Sequence, residues 1–278
     1  MIIIRAIIVI LLLCSYGWAF DRVGYWNMDE ASGNLIDQSG QGNNCTANGS
    51  PDYSQAGPLN RGTAIGFDGS TDWFNCGDNG SLDFGTGNFT IAFWLVVPFT
   101  GSNPYYNGII VKGENSTAIA HTWYFCQYSN TVNRIGFYDS IDAGGSFNAQ
   151  MQSPVLSQGW NEIVCTRNGT LYSLFVNGSV VATQTKIVVD LNNSANFQIG
   201  KEVSNRYINS ILDDIKVYNY ALSAIQIQHE YQQSRLAISR KHEPWKWIDL
   251  FKLAFNFRGD QLYEKDNRIS YLRQHPIN

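Results

Sequence analysis

Charge and histidine are scarce in this chain. Asp, Glu, Lys and Arg make up 15% of its 278 residues, and there are 4 histidines. Between residues 20 and 234 the only glutamates are Glu30, Glu114, Glu162, Glu202 and Glu230, and the only histidines are His121 and His229. Glycosidic cleavage needs two carboxylates flanking the bond, and a nucleophilic triad needs a histidine beside its serine. No Glu-x-Asp-x-x-Glu run is present, and neither histidine lies in a Ser or Asp motif. Asp213 and Asp214 are adjacent, so on a regular strand they point to opposite faces and cannot act as a pair. A hydrolase or lyase is therefore the least supported class.

Basic residues are few as well. Residues 1–234 hold 10 Lys and Arg against 18 Asp and Glu, net −8, which argues against a nucleic-acid backbone as the partner, since phosphates require a basic face. Residues 235–278 hold 9 against 5, net +4. The cysteine spacings of 31, 50 and 39 residues from Cys45 through Cys76 and Cys126 to Cys165 match no zinc pattern.

What is abundant is Gly, Asn and aromatic residues, the composition of turn-rich β structure. The chain divides into 1–19, 20–234 and 235–278. In the first segment, Arg5 precedes nine apolar residues, Ala6 to Cys14, and Gly17-Trp18-Ala19 forms a small-x-small site. That is the layout of a signal peptide, and the apolar run is too short to span a bilayer, which takes about 20 residues. An uncleaved anchor is the alternative. Export places the chain in a secreted, extracellular or cell-surface setting and permits disulfides among Cys45, Cys76, Cys126 and Cys165, in any of three connectivities or as buried thiols.

The stretch Trp160 to Gly178, WNEIVCTRNGTLYSLFVNG, carries the strongest local signal. Asn168-Gly169 between two β-forming runs predicts a two-residue hairpin, with Arg167 facing Thr170, Cys165 facing Tyr172 and Ile163 facing Leu174. One face then carries Ile163, Cys165, Tyr172, Leu174 and Val176 as core. Asn177-Gly178 predicts the next turn of an antiparallel meander. Phe89 to Val97 reads as a strand buried on both faces, and further short strands are expected at Thr63–Phe67, Ile109–Val111, Thr122–Gln127, Arg134–Tyr138, Phe197–Gly200 and Ile211–Tyr218. Helix enters only at Ser223-x-x-Gln226, a capping box, with Leu222 and Ile227 at staple spacing, so a helix should begin near Ala224. The fold class is all-β, a two-sheet antiparallel jelly-roll sandwich with a short helix at its end and a helical C-terminal tail.

The ordered pieces YWNMDEASG, DQSGQGNN, AIGFDG, FTIAFW, the hairpin stretch and ILDDIKVYNYALSAIQI resemble the laminin-G-like jelly roll of the concanavalin A-like lectin/glucanase superfamily, over residues 22 to 232. Asp214 stands where a Glu is more usual, and Asn209-Ser210 where Asn-Gly is commoner. The resemblance implies two curved sheets, binding of carbohydrate or protein, and often a structural calcium.

Candidate sites follow from residue chemistry. Asp213 shares strand parity with Ile215 and Val217, which would make it a buried carboxylate needing a partner. With Asp37, in a loop rich in oxygen donors, it is expected to help hold one Ca²⁺; the alternative is an Asx turn at Asp37 and loop amides at Asp213. Sugar sites stack ring faces on aromatic side chains, which singles out Trp73, Tyr105, Tyr106 and Trp123 beside turn-rich segments, while Trp26, Trp94 and Trp160 read as core. Residues 245–257 form an amphipathic pattern suited to a membrane surface, a partner or the sandwich itself. The expected function is an exported, non-catalytic carbohydrate-binding domain; the competing one is an adhesion or structural domain whose partner is an extracellular protein.

Overall fold

A computed structural model describes residues 22–113, 122–129, 132–140, 146–202 and 204–242. The leader at 1–19, His121 and the segment 245–257 lie outside them. The described residues form two antiparallel sheets with the core between them. The chain divides into two compact units after Ser234, and one helix, α1 (Ala224–His242), runs across that boundary.

Sheet I is organised around a meander of β12 (Gly159–Asn168), β13 (Leu171–Val176) and β14 (Ser179–Thr185). β12 pairs with β6 (Phe89–Val97), and β6 with the 13-residue β17 (Arg206–Tyr218). The far edge of β17 is shared: β4 (Thr63–Asp68), followed outward by β3 (Asp52–Ala56), covers one part and β1 (Arg22–Trp26) the other, with β7 (Thr100–Gly101) at its start. Sheet II runs β2 (Thr46–Asn48), β5 (Trp73–Asn75), β15 (Phe197–Ile199), β8 (Asn107–Lys112), β9 (Trp123–Ser129), β10 (Val132–Ser140) and β11 (Phe147–Gln152). β16 (Lys201–Glu202) pairs with the first residues of β17 and so links the sheets.

The hairpin differs from expectation in one detail. Asn168 pairs with Leu171 and Cys165 with Leu174, so the loop is Gly169-Thr170. Only Gly169 takes a positive φ, +57°, which suits a II′ turn with glycine first. Asn168 stays in the strand, where its side chain meets Asn88, and Asn88 in turn accepts the Gly169 N–H at 2.7 Å. Because the pairing shifts by two residues, an even number, the core face survives: Ile163, Cys165, Tyr172 and Leu174 are buried. At Asn177-Gly178 both φ values are positive, as a I′ turn requires. A Cβ on Gly178 would also lie 3.0 Å from Tyr231 of the helix, so glycine is needed there twice over.

β6 is buried on both faces. Ile91, Phe93 and Leu95 face the intersheet core, while Ala92 joins a second cluster with Val164, Phe175, Tyr218, Leu222 and Ile227 beneath α1. The helix starts at Ala224 through the capping box: Ser223 N–H donates to Gln226 Oε1 at 2.9 Å, and Gln226 N–H to Ser223 Oγ at 3.3 Å. Thr90 Oγ1 donates to Tyr220 O and accepts from Leu222 N–H, both at 2.8 Å, which pins the approach to the helix.

Among the described residues one disulfide is present, Cys45–Cys76, while Cys126 and Cys165 are buried free thiols. A Cys126–Cys165 bridge is ruled out by the layers: Cys165 belongs to the intersheet core and Cys126 to a cluster on the other side of sheet II. Constraining 31 residues is expected to stabilise by about 3–4 kcal/mol. Urea unfolding of the Cys45→Ser/Cys76→Ser variant should show that loss.

Candidate functional site

Strand alternation sends two sets of side chains off sheet II. Trp123, Phe125 and Phe137 point into the core. Tyr124, Cys126, Val111 and Tyr138 point outward and form a cluster of their own, with Tyr106 and Phe147 packed against it. The outward rings run in a chain across the strands. Tyr105 and Tyr106 lie 6.3 Å apart, Tyr106 meets the Tyr138 edge at 6.0 Å, Tyr138 stacks on Tyr124 at 5.2 Å, and Phe147 lies 5.2 Å from Tyr138. Gly136 makes room for this: a Cβ there would sit 2.4 Å from the Tyr138 ring.

The register extends the face sideways. Val111 pairs with Gln198, and Gln198 with Asn75, so Gln198, Asn75 and, two residues on, Trp73 share the outward side. Lys201 Nζ lies 4.3 Å from the centre of the Trp73 ring and 5.5 Å from that of Tyr207. Within this surface, Tyr124 Oη and Gln198 Oε1 are buried without a hydrogen-bond partner. Burial holds the Tyr124 hydroxyl far above the usual phenol range, so it stays a neutral donor.

Of the four aromatic residues expected at a site, Trp73, Tyr105 and Tyr106 come to this face. Trp123 does not: it is fully buried and stacks on Phe84 at 5.4 Å within the core. Its neighbour Tyr124 takes the outward position, a swap of one residue that flips the side chain across the sheet. Tyr138, Phe147, Gln198 and Lys201 were not singled out from the sequence; the Tyr-x-Cys-x-Tyr alternation at 124–128 against the core parity of Phe125 was the available signal.

The two carboxylates expected to hold calcium do not fit one. Asp37 Oδ1 accepts N–H groups from Tyr25 and Ser39, each at 2.9 Å, and Oδ2 accepts Ser39 Oγ at 2.8 Å and Asn43 N–H at 2.9 Å. Four donors fill both oxygens, and the Asx-turn alternative describes this residue. Asp213 is buried, but on the outer face of sheet I, opposite Trp94. Asp214 adopts φ +52° in a bulge between Asp213 and Lys216, and that extra residue breaks the parity linking Asp213 to Ile215 and Val217. Among the described residues no group of three or more His, Cys, Asp or Glu side chains could hold a metal ion.

Asp213, Trp94 and Glu162 form a row across three neighbouring strands. Burial, reinforced by the Asp214 charge, raises the Asp213 carboxyl to about 8, and burial raises Glu162 to about 7. A retaining or inverting glycosidase needs one ionised and one protonated carboxyl. Here both are pushed the same way, and Tyr231 of α1 stacks on Trp94 at 5.9 Å, roofing the row.

The comparisons agree with this architecture. No curated protein matches the chain in sequence. Among solved structures it is similar to the binding domain of botulinum neurotoxin DC in complex with SialylT, at 16% identity and a TM-score of 0.60 over 77% of this chain and 51% of that one. The same domain in complex with rat synaptotagmin II matches at 16% identity and a TM-score of 0.58, covering 77% and 51%. A structure described as showing that cell entry of botulinum neurotoxin type C depends on interaction with two ganglioside molecules matches at 16% and 0.60, again covering 77% and 51%. The chain thus spans about half the length of these structures, and the likeness is one of fold. A laminin G family model matches residues 68–228, more than half of the sequence. With the two-sheet sandwich and the ordered strand motifs, that match makes the chain a member of the concanavalin A-like lectin/glucanases superfamily.

Proposed function

We propose that this protein is an exported, non-catalytic binding domain that recognises glycan through the outward face of sheet II. The observation carrying this reading is the exposed Tyr105 and part-exposed Tyr106, which end a ring chain that continues inward through the buried Tyr138 and Tyr124. Sugars present apolar ring faces edged by hydroxyls, and Tyr105 and Tyr106 offer rings on which such a face can stack, backed by the buried Tyr138 and Tyr124. Trp73, held against Lys201, adds a platform at the side. Support for binding as the role comes from the solved structures of similar fold, in which those proteins are in complex with SialylT or rat synaptotagmin II or depend on interaction with gangliosides. Support for export comes from the leader pattern at 1–19 and from the disulfide, which an oxidising compartment favours. No helix among the described residues is long and apolar enough to cross a membrane.

Glycan-array binding with competition by soluble sugar tests the reading. Wild-type protein should show a reproducible sugar preference. Tyr105→Ala and Trp73→Ala should each weaken it roughly tenfold, the effect of deleting one aromatic platform worth ~1–1.5 kcal/mol. Binding that is unchanged in both variants would reject this face, and a protein captured in the absence of any sugar binding would favour the adhesion class.

A further inference from the structure

A second cavity lies on the opposite sheet and is independent of the glycan reading. It measures about 730 Å³ and opens between the outer face of sheet I and α1. Trp94, Glu162, Asp214 and Lys216 form its floor, Arg22 and Arg61 line it from β1 and from the turn before β4, and Ile225, His229 and Glu230 belong to the helix. That volume suits a small molecule.

The polar chemistry of the walls is unbalanced in a specific way. Lys216 and Asp214 satisfy one another at 2.8 Å. Four other polar atoms of the lining residues are buried without a hydrogen-bond partner: Arg22 Nε, Arg61 Nε, Glu162 Oε2 and Glu230 Oε1. Two are cationic donors and two are carboxylate acceptors. Glu162 is itself 5% exposed, so it is closed off from bulk water. Leaving such groups unpaired is costly, and a ligand supplying both an anion and a cation would relieve both kinds at once. A neutral sugar is the poorer fit, because the Trp94 ring that would stack on it is already stacked by Tyr231. Ile225, which is exposed, leaves apolar surface for a side chain.

We propose that this cavity binds a small zwitterion of the α-amino acid class, with its carboxylate held by Arg22 and Arg61 and its ammonium by Glu162 and Glu230. Arg22 is preset for the role by its position 4.2 Å over the Tyr25 ring. The ammonium would bring the Glu162 oxygen the hydrogen-bond donor that it lacks.

Thermal shift and calorimetry on the full chain, with the common L-amino acids added one at a time at millimolar concentration, test this. Isobutyrate, isobutylamine and glucose serve as the anion-only, cation-only and neutral probes. At least one amino acid should raise Tm and give a saturating isotherm, and the three single-feature probes should not. Arg61→Gln and Glu230→Gln, whose side chains are only half-buried and whose folding circular dichroism can verify, should each weaken binding by about tenfold or more, as expected for a lost hydrogen bond to a charged group. The proposal is overturned if no amino acid binds, if glucose or a single-charge probe binds equally well, or if both variants bind as the wild type does.

Discussion

Arg167→Met is expected to lower the unfolding free energy by about 3–5 kcal/mol, the scale of breaking a buried charged network. Arg167 is fully buried on the core side of β12, where alternation places it with Ile163 and Cys165. Its guanidinium replaces a hydrophobic contact with a fork onto three carbonyls. Nε donates to Gly87 O at 2.8 Å, Nη1 to Val189 O at 3.0 Å, and Nη2 to Gly85 O at 2.7 Å and also to Gly87 O. The fork ties the loop before β6 to the segment after β14, two stretches far apart in sequence. Gly85 O also receives Leu191 N–H at 3.0 Å, so methionine would strand chiefly the Gly87 and Val189 carbonyls. Each orphaned buried carbonyl costs ~1–3 kcal/mol. The arginine also serves Asp139, which is fully buried and accepts Tyr172 Oη at 2.6 Å; burial raises that carboxyl, and Arg167 is among the groups that hold it down. Arg167→Lys keeps the charge but not the planar fork, so it should fall between wild type and Arg167→Met in urea titrations. A methionine variant within ~1 kcal/mol of wild type would show that the three-carbonyl anchor is dispensable.

The sandwich was legible in the chain because its signals are local. Alternation in Trp160–Gly178, the Asn177-Gly178 turn, the doubly buried Phe89–Val97 and the Ser223–Gln226 capping box each depend on residues a few positions apart. What failed did so where tertiary structure inserts or shifts a single residue. The Asp214 bulge turned Asp213 from the expected core face to the outer one, and the Gly169-Thr170 loop moved the hairpin pairing without moving its faces. Trp123 and Tyr124 both flank a turn-rich segment, and the pairing of β9 with β8 and β10 sends Tyr124 outward and Trp123 into the core. Alternation puts Arg167 on the core face with Ile163 and Cys165, but nothing near it in sequence tells how its charge is satisfied there, since the carbonyls it needs come from residues 85–87 and 189. The cavity beside α1 is illegible for the same reason: its polar atoms come from β1, a turn, three central strands and the helix.

Asp213→Asn is expected to stabilise the protein increasingly as pH rises, by about 4 kcal/mol more at pH 8 than at about pH 5. The carboxyl has a value of 3.8 in an ordinary setting and about 8 in the fold, raised first by burial and then by the neighbouring Asp214 charge. Between those values the unfolded chain has lost the proton and the folded chain has kept it. Stability therefore falls as pH rises through this window, by ~1.4 kcal/mol per pH unit, and levels off above the folded value. Glu162 acts in the same sense between 4.5 and about 7. Asp68 works oppositely: burial pushes it up, but hydrogen bonds from Ser70, Thr71 and Asp72 outweigh that and hold it below the ordinary range, so its stabilisation is present above about pH 4 and lost on acidification. Together these groups place the stability maximum near pH 4–5 and make the alkaline limb the diagnostic one. Asparagine keeps an oxygen to accept the Asp214 N–H, which Asp213 Oδ1 does at 2.8 Å, while removing the ionisation. Chemical denaturation across this pH range, with and without EDTA, reads the effect. A variant that loses stability at high pH, together with a wild type weakened by EDTA, would mean that Asp213 serves a cation after all; a gain that grows with pH and ignores EDTA identifies it as a carboxyl confined by burial beside a like charge.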